Sequence, residues 1–272
     1  MNNDSPAKAF LVVLLVAVVC SSLVSAAVVI LRPIQLNNQL LDRSRNIMQL
    51  TGLLSAGAEP GDEEMLALYK SLDSRIVDID QGSFDSTVNA DTFDKRRAAS
   101  NPELSVVVPA EYDQARLGRR SRYAPVYLVW QENKLDRIIL PIRGAAMWST
   151  LYGYLALEAD LNTVAAATFY EHAETPGLGD QITRPDWLAQ WQGRQIYDAQ
   201  GELRFAVSAG RVEPGSSKAQ YEVDALTGAT VTADAVTSLV HYWLGPHGYK
   251  PFLDQLREQP PVQSSPDTVE GS

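Results

Sequence analysis

The sequence predicts a single N-terminal transmembrane helix followed by an α+β domain, in which a mostly antiparallel sheet has flanking helices. Three observations predict this fold class. Ala9–Leu31 carries no charged residue, runs rich in β-branched residues recur between positions 105 and 208, and helical spacing of apolar residues precedes and follows those runs. Because the strand candidates lack regular intervening helices, an antiparallel α+β arrangement fits better than a doubly wound one.

The membrane-spanning element is predicted at 9–31, after a short segment 1–8. As a helix, these residues would extend about 35 Å, which is enough to cross a bilayer. A cleaved secretory signal is the alternative, and Val24-Ser25-Ala26 resembles a cleavage site. The apolar run continues past that site and is longer than a typical signal core, which favours a retained anchor. The arginines that follow the span weakly favour a cytoplasmic domain, but long domains translocate largely regardless of charge.

The domain is predicted to occupy 32–258. Apolar residues from Leu36 to Leu54 have helical spacing, and a second helix, including Met65 and Leu72, follows a break at Pro60-Gly61-Asp62. Residues 73–104 are interpreted as irregular or short-strand structure. The predicted strands are Val106–Val108, Val126–Trp130, Leu135–Leu140, Met147–Leu157, Thr163–Tyr170 and Leu203–Ser208, with a hairpin turn at Gln131–Lys134 and a short Trp-rich helix at Pro185–Trp191. Gln259–Ser272 is predicted to be a disordered tail.

Composition excludes several kinds of site. The chain has 23 Lys and Arg against 33 Asp and Glu, a formal net charge of −10, which argues against nucleic-acid binding. Its one cysteine, Cys20, excludes an intramolecular disulfide, a cysteine-ligated zinc or iron–sulfur site and a CxxCH haem site. The histidines, His172, His241 and His247, lack a familiar metal-ligand spacing and are interpreted as structural or exposed. No metal site is expected.

The most informative motif is the Thr-Gly-Ala-Thr turn, residues 227–230. Val236, Leu239, Val240 and Trp243 follow at helical spacing, so the turn lies immediately before a helix. A helix N-terminus presents free backbone N–H groups and the positive end of the helix dipole, which suits a phosphate. The alternative is that Thr230 or Thr232 only caps the helix.

Asp-x-x-Thr-Gly-Ala-Thr, from Asp224 to Thr230, resembles the flavinylation motif in which the last threonine is joined to FMN by a phosphoester. This resemblance implies covalent FMN on Thr230. The small residues Gly228 and Ala229 would let the donor nucleotide approach, and Asp224 would position the segment. Thr227, Gly228 and Ala229 are expected to contact the cofactor. A separate flavin transferase that uses FAD and magnesium performs the attachment in the resembling family.

Two further segments, Met147–Leu157 and Tyr170–Gly179, resemble signatures of the C subunit of the sodium-translocating NADH:quinone reductase. The order of the features and the N-terminal anchor match that family as well, and the resemblance covers the chain except its tail. It implies an FMN-binding domain with further cofactor contacts from Thr150, Glu174, Thr175, Leu178 and Lys218.

The resemblance also implies a function. The chain would relay single electrons through FMN between an iron centre and another flavin, in an inner-membrane complex that oxidises NADH, reduces ubiquinone and pumps Na⁺ outward. Its partners would be the other subunits, the transferase and the lipid bilayer, with the domain on the periplasmic side and no catalytic residues of its own. The alternatives are the G subunit of the related Rnf complex, a non-enzymatic membrane sensor or docking module, and a secreted acidic binding protein.

Overall fold

The computed structural model describes residues 6–54, 60–90 and 92–263. The chain divides into two compact units, residues 1–45 and 46–272. The helices are α1 (Pro6–Thr51), α2 (Asp62–Lys70), α3 (Lys95–Ser100), α4 (Pro185–Leu188), α5 (Thr230–Trp243) and α6 (Lys250–Glu258). The strands are β1 (Asp73–Asp78), β2 (Ser83–Asp85), β3 (Ser105–Val107), β4 (Arg119–Ser121), β5 (Tyr123–Gln131), β6 (Lys134–Ala145), β7 (Thr150–Glu158), β8 (Val164–Glu171), β9 (Ala206–Val207) and β10 (Glu222–Val223).

The first unit consists of most of helix α1. This helix contains a segment long and apolar enough to span a membrane, with a mean hydropathy of 2.8 and none of that segment buried. The sequence predicts a membrane helix at 9–31 and helical spacing from Leu36 to Leu54, and the structure joins these segments in one helix that contains Pro33. Proline removes only one backbone N–H from the helix, and the apolar residues on both sides favour helix, so the helix continues.

The second unit is built on a six-stranded sheet in the order β2-β1-β5-β6-β7-β8. All five strand pairs in this sheet are antiparallel, which confirms the predicted fold class. The predicted hairpin joins β5 to β6. Glu132 and Asn133 form its two-residue turn with φ of 49° and 62°, the left-handed geometry that matches the twist of hairpin strands.

Two predicted strand regions differ from the structure. Strand β1 lies inside the sheet, between β2 and β5, although the sequence of its segment indicates irregular or short-strand structure. Leu203–Ser208 is predicted as a strand, but only Ala206–Val207 forms one, paired in parallel with Glu222–Val223. Leu203 forms an isolated antiparallel bridge with Tyr197. The surrounding chain forms turns, such as the hydrogen bond from the Gly201 N–H to the Asp198 carbonyl.

Helix α5 packs on one face of the sheet and completes the hydrophobic core. Val236, Leu239 and Val240 are fully buried there, as the helical spacing predicts. Gly144 of β6 lies directly under this helix, where an added Cβ would be 2.9 Å from the Cβ of Leu239. This close contact holds α5 against the sheet and so fixes the position of the helix N-terminus.

The C-terminal region contains a helix that the sequence pattern does not predict. Helix α6 places Phe252, Leu253 and Leu256 in the core. The predicted disordered tail falls partly outside the described residues, since 264–272 are not described. In the described part, the carbonyl of Val262 accepts a hydrogen bond from Arg75 at 2.6 Å.

Close packing of β7 against β8 gives a stability prediction. A Cβ on Gly153 would overlap the carbonyl oxygen of Thr168 and lie 3.0 Å from the Phe169 ring. Gly153→Ala should therefore lower the free energy of unfolding by about 1–3 kcal/mol. Gly210→Ala is the matched control, because nothing lies within 4 Å of a Cβ there. Urea unfolding of the purified chain measures both, and equal losses would contradict the prediction.

Candidate functional site

The Thr-Gly-Ala-Thr turn lies at the N-terminus of α5, as predicted. Thr230 is the first residue of the helix and is exposed. The N-cap residue is Ala229, with φ −133° and no side-chain cap. The hydroxyl of Thr232 points elsewhere, to the carboxylate of Glu174. The interpretation of these threonines as simple caps is therefore wrong, and the amide groups of the first turn remain available to an anion.

Gly228 brings this turn close to a second one, the Pro-Gly turn, which is defined as residues 174–179. Gly228 has φ +74°, a backbone conformation that favours glycine, and a Cβ there would lie 2.9 Å from Cδ2 of Leu178. The side-chain amide of Gln181 donates to the carbonyl of Thr227 at 3.0 Å and to that of Leu178 at 2.7 Å. The two turns, about 50 residues apart in sequence, therefore form one surface.

Asp224 fixes the chain just before the Thr-Gly-Ala-Thr turn. Its carboxylate accepts a hydrogen bond from the backbone N–H of Val212 at 2.7 Å. Its own N–H donates to the side chain of Gln190 at 2.9 Å, and its carbonyl accepts from the indole of Trp187 at 2.9 Å. Trp187 and Gln190 of the Trp-rich segment Pro185–Trp191 thus hold the backbone of Asp224. The hydrogen bond from Val212 is the contact that depends on the aspartate side chain.

Glu174 of the Pro-Gly turn is buried, with 5% of its surface exposed. One carboxylate oxygen accepts from the backbone N–H of Trp148 at 3.1 Å, and the other accepts from the Thr232 hydroxyl at 2.5 Å. Thr175 is exposed, and its carbonyl accepts from the N–H of Leu178 at 3.1 Å. From the sequence, Thr232 is considered only as a helix cap, and its bond to Glu174 is not anticipated. Its spacing of four from Val236 places it on the buried stripe of α5, where a hydroxyl needs a partner.

Exposed apolar side chains surround the two turns. Met147, Trp148, Leu178 and Val231 are 55%, 65%, 42% and 48% exposed, respectively. The apolar sequence around Trp148 is equally consistent with a core aromatic residue, but its side chain lies at the surface. Thr150, the first residue of β7, lies half-buried nearby, opposite Ala145. Apolar surface beside a helix N-terminus and an exposed hydroxyl fits a group that has a phosphate and a flat aromatic ring system.

The structure does not bring Lys218 into contact with these turns. Its ammonium group lies 3.9 Å from Glu222, and its side chain is 77% exposed. The histidines are in structural or surface contacts: His172 accepts from the Glu174 N–H, His241 bonds the Phe205 carbonyl, and His247 stacks on Tyr112. Within the described ranges, no group of three His, Cys, Asp or Glu residues could hold a metal ion.

Comparison with protein families gives a match to the FMN-binding domain, over residues 147–245. This range begins at Met147 and ends just after α5, so it contains both turns of the site. Because the family binds FMN through such a domain, the match agrees with the group that the surface fits.

Individual relatives extend the similarity to nearly the whole chain. The C subunit of the Na⁺-translocating NADH-quinone reductase of Pseudomonas aeruginosa is 45% identical over 260 residues, 94% of this chain and 98% of its own. The corresponding C subunit of Vibrio anguillarum is 37% identical over 257 residues, 94% and 97% of the two chains.

Solved structures show the same fold. The crystal structure of NqrC from Shewanella oneidensis aligns with a TM-score of 0.71 and 34% identity, and covers 82% of this chain and 98% of that one. The crystal structure of the C subunit from Parabacteroides distasonis aligns with a TM-score of 0.61 and 26% identity, covering 82% and 96%.

Proposed function

This chain belongs to the NqrC family, the C subunits of the Na⁺-translocating NADH-quinone reductases, and from that premise we propose that it carries FMN on the hydroxyl of Thr230. It is a subunit of a translocase complex, it has an FMN-binding domain, and the other subunits of that complex are its partners. Relatives that match 94% of the chain favour this family over the Rnf subunit, the sensor and the secreted binding protein.

The observation that carries the proposal is the position of Thr230. An exposed hydroxyl lies at the first residue of a 14-residue helix, where the free N–H groups and the dipole favour a phosphate. In the proposed step, the Thr230 oxygen forms a bond to the FMN phosphorus of FAD. The bond from that phosphorus to the AMP moiety breaks, AMP leaves, and the hydroxyl proton passes to solvent. A flavin transferase with magnesium would catalyse this step.

The residues around Thr230 support the proposed contacts. Gly228 leaves space beside the phosphate, with Thr227 and Ala229 on either side of it in the turn. Leu178 offers an exposed apolar surface for the ring, and Thr150 and Thr175 supply polar groups at its edge. The proposed contact of Glu174 with the ring edge has less support, because its side chain is buried and both carboxylate oxygens accept hydrogen bonds within the chain. The proposed role of Lys218 has less support, because its ammonium group faces Glu222.

FMN, when bound, supplies one-electron and two-electron redox chemistry that no side chain here provides. We propose that the chain holds this cofactor between an iron centre and a second flavin of the complex. Its own task is placement: the covalent link keeps the site occupied, and the two turns orient the cofactor. The apolar segment of α1 would anchor the chain in the inner membrane, with the domain on the periplasmic side.

Mass analysis of the purified membrane-bound chain tests this proposal. We expect one added FMN on the proteolytic peptide that contains Thr230, after expression together with a flavin transferase. The same chain expressed without the transferase is the control, and should carry none. An unmodified peptide in the first preparation, or FMN on another residue, would contradict the assignment.

A further inference from the structure

Three separate parts of the site meet at one carboxylate. The glutamate clasp, as we call it, consists of Glu174, the hydroxyl of Thr232 and the backbone N–H of Trp148. It joins the Pro-Gly turn to the first turn of α5 and to the chain entering β7. Glu174 is 5% exposed and Thr232 is 2% exposed, so water competes little for these hydrogen bonds. A hydrogen bond to a carboxylate in such surroundings is among the stronger ones in proteins.

Gly179 packs against the clasp and leaves it little room to move. A Cβ on Gly179 would lie 2.8 Å from the Thr232 hydroxyl oxygen, 2.8 Å from Cβ of Glu174 and 3.0 Å from its carboxylate. These contacts are too close for any larger residue. The side chains of Glu174 and Thr232 are therefore confined to the geometry that the structure shows.

Thr232 and Thr230 lie on different faces of the same helical turn. At 100° per residue, two positions correspond to about 200°, so one side chain faces inward when the other faces outward. The structure has this arrangement, with Thr232 buried and Thr230 exposed. The packing of α5 on the sheet places this turn, and the bond from Thr232 to Glu174 holds it in the rotation that leaves Thr230 exposed.

We propose that Thr232, acting through Glu174, is a positioning residue for flavin attachment at Thr230. This inference rests on the proposed function. It assigns Glu174 a role besides the expected contact with the ring edge, since both of its carboxylate oxygens accept hydrogen bonds from this chain. An attacking hydroxyl must be aligned with the phosphorus atom, and small displacements of such a group have large effects on rate.

Substitution of Thr232 tests the proposal. The rate of flavin attachment should fall about tenfold to a hundredfold in Thr232→Val, and Thr232→Ser, which keeps the hydroxyl, should restore most of it. The measurement is a single-turnover assay with flavin transferase, FAD and magnesium, followed by fluorescence of the denatured chain. Thr237→Val is the matched control, because it removes a hydroxyl from the same helix, where it bonds Ala233 and Val207, and should react at the wild-type rate.

A second pair of variants separates the clasp from a need for negative charge. In Glu174→Gln, the carbonyl can accept from Trp148 and the amide can donate to Thr232, so attachment should slow by less than about threefold. In Glu174→Ala, both bonds are lost and attachment should slow at least about tenfold. If Thr232→Val does not fold, as judged by its thermal unfolding midpoint, the comparison of Glu174→Gln with Glu174→Ala tests the positioning role without it.

The possible results have distinct meanings. Wild-type attachment rates in Thr232→Val, or equal losses in Glu174→Gln and Glu174→Ala, would overturn the positioning role. A fall in the apparent affinity for the transferase with an unchanged maximal rate would also overturn it, because the proposal concerns alignment in the bound state. Failure of the wild-type chain to gain flavin on Thr230 would instead contradict the proposed function.

Discussion

Thr230→Val should abolish covalent flavin on the denatured chain. Valine has nearly the shape of threonine but no oxygen, so no phosphoester can form, and the loss should be complete. The helix should remain, because the Thr230 side chain is exposed and does not serve as the N-cap. In-gel fluorescence after expression together with the transferase measures the effect.

Thr230→Ser is the matched variant for this experiment. It keeps a hydroxyl at the first position of α5, and we expect it to retain readily detectable covalent flavin. Persistent fluorescence in Thr230→Val would move the attachment point to another residue. Loss in both variants, with unchanged thermal midpoints, would show that the threonine methyl group is needed as well.

Trp243→Ala should lower the free energy of unfolding by about 3–5 kcal/mol, more than the other variants proposed for this chain. Its side chain is fully buried, and its indole N–H donates to the Arg143 carbonyl at 2.6 Å. The ammonium group of Lys95 lies 4.0 Å from the centre of the indole ring. Burial lowers the pKa of Lys95 well below its usual value, so removal of the ring also takes away an aromatic partner of an already desolvated amine.

Trp148→Ala is the control, since it removes the same residue type from an exposed position. We expect it to change the free energy of unfolding by less than about 0.5 kcal/mol. Urea titration of the detergent-solubilised chain, followed by circular dichroism, compares the two. If the two variants lose similar amounts of unfolding free energy, burial of the indole does not determine the loss, and the prediction is wrong.

The elements that sequence predicts correctly are those whose signals are local. The β5–β6 hairpin follows from two apolar runs that flank a short polar turn, and α5 follows from its apolar spacing. Strand β1 has no such signal, because Asp73, Ser74 and Arg75 are polar and only its second half is buried. Its place inside the sheet depends on pairing with β5, about 50 residues further along the chain. Helix α6 has a local signal in the spacing of Phe252, Leu253 and Leu256, but it is only nine residues long and contains a proline near its start, so the pattern is short.

The site residues also differ in how local their signals are. Thr230 is predicted as the attachment residue from a short motif formed by its own neighbours in sequence, and this assignment stays a prediction. Glu174 is expected only as a cofactor contact, but its bond to Thr232 joins residues 58 apart, and only the packing of α5 against the sheet brings them together. The tight packing at Gly179 is likewise not visible in the local sequence. A side chain is excluded there because Glu174 and Thr232 occupy the space, and these residues meet only in the folded domain.

The three hydrogen bonds that hold Asp224 have a consequence for the proposed flavin attachment. Many modified residues lie in flexible segments, and a modifying enzyme must order such a segment when it binds, at a cost in conformational entropy. Here the chain before the acceptor is already ordered by the folded domain. The transferase would therefore recognise a folded surface rather than an extended peptide, and folding would precede flavin attachment.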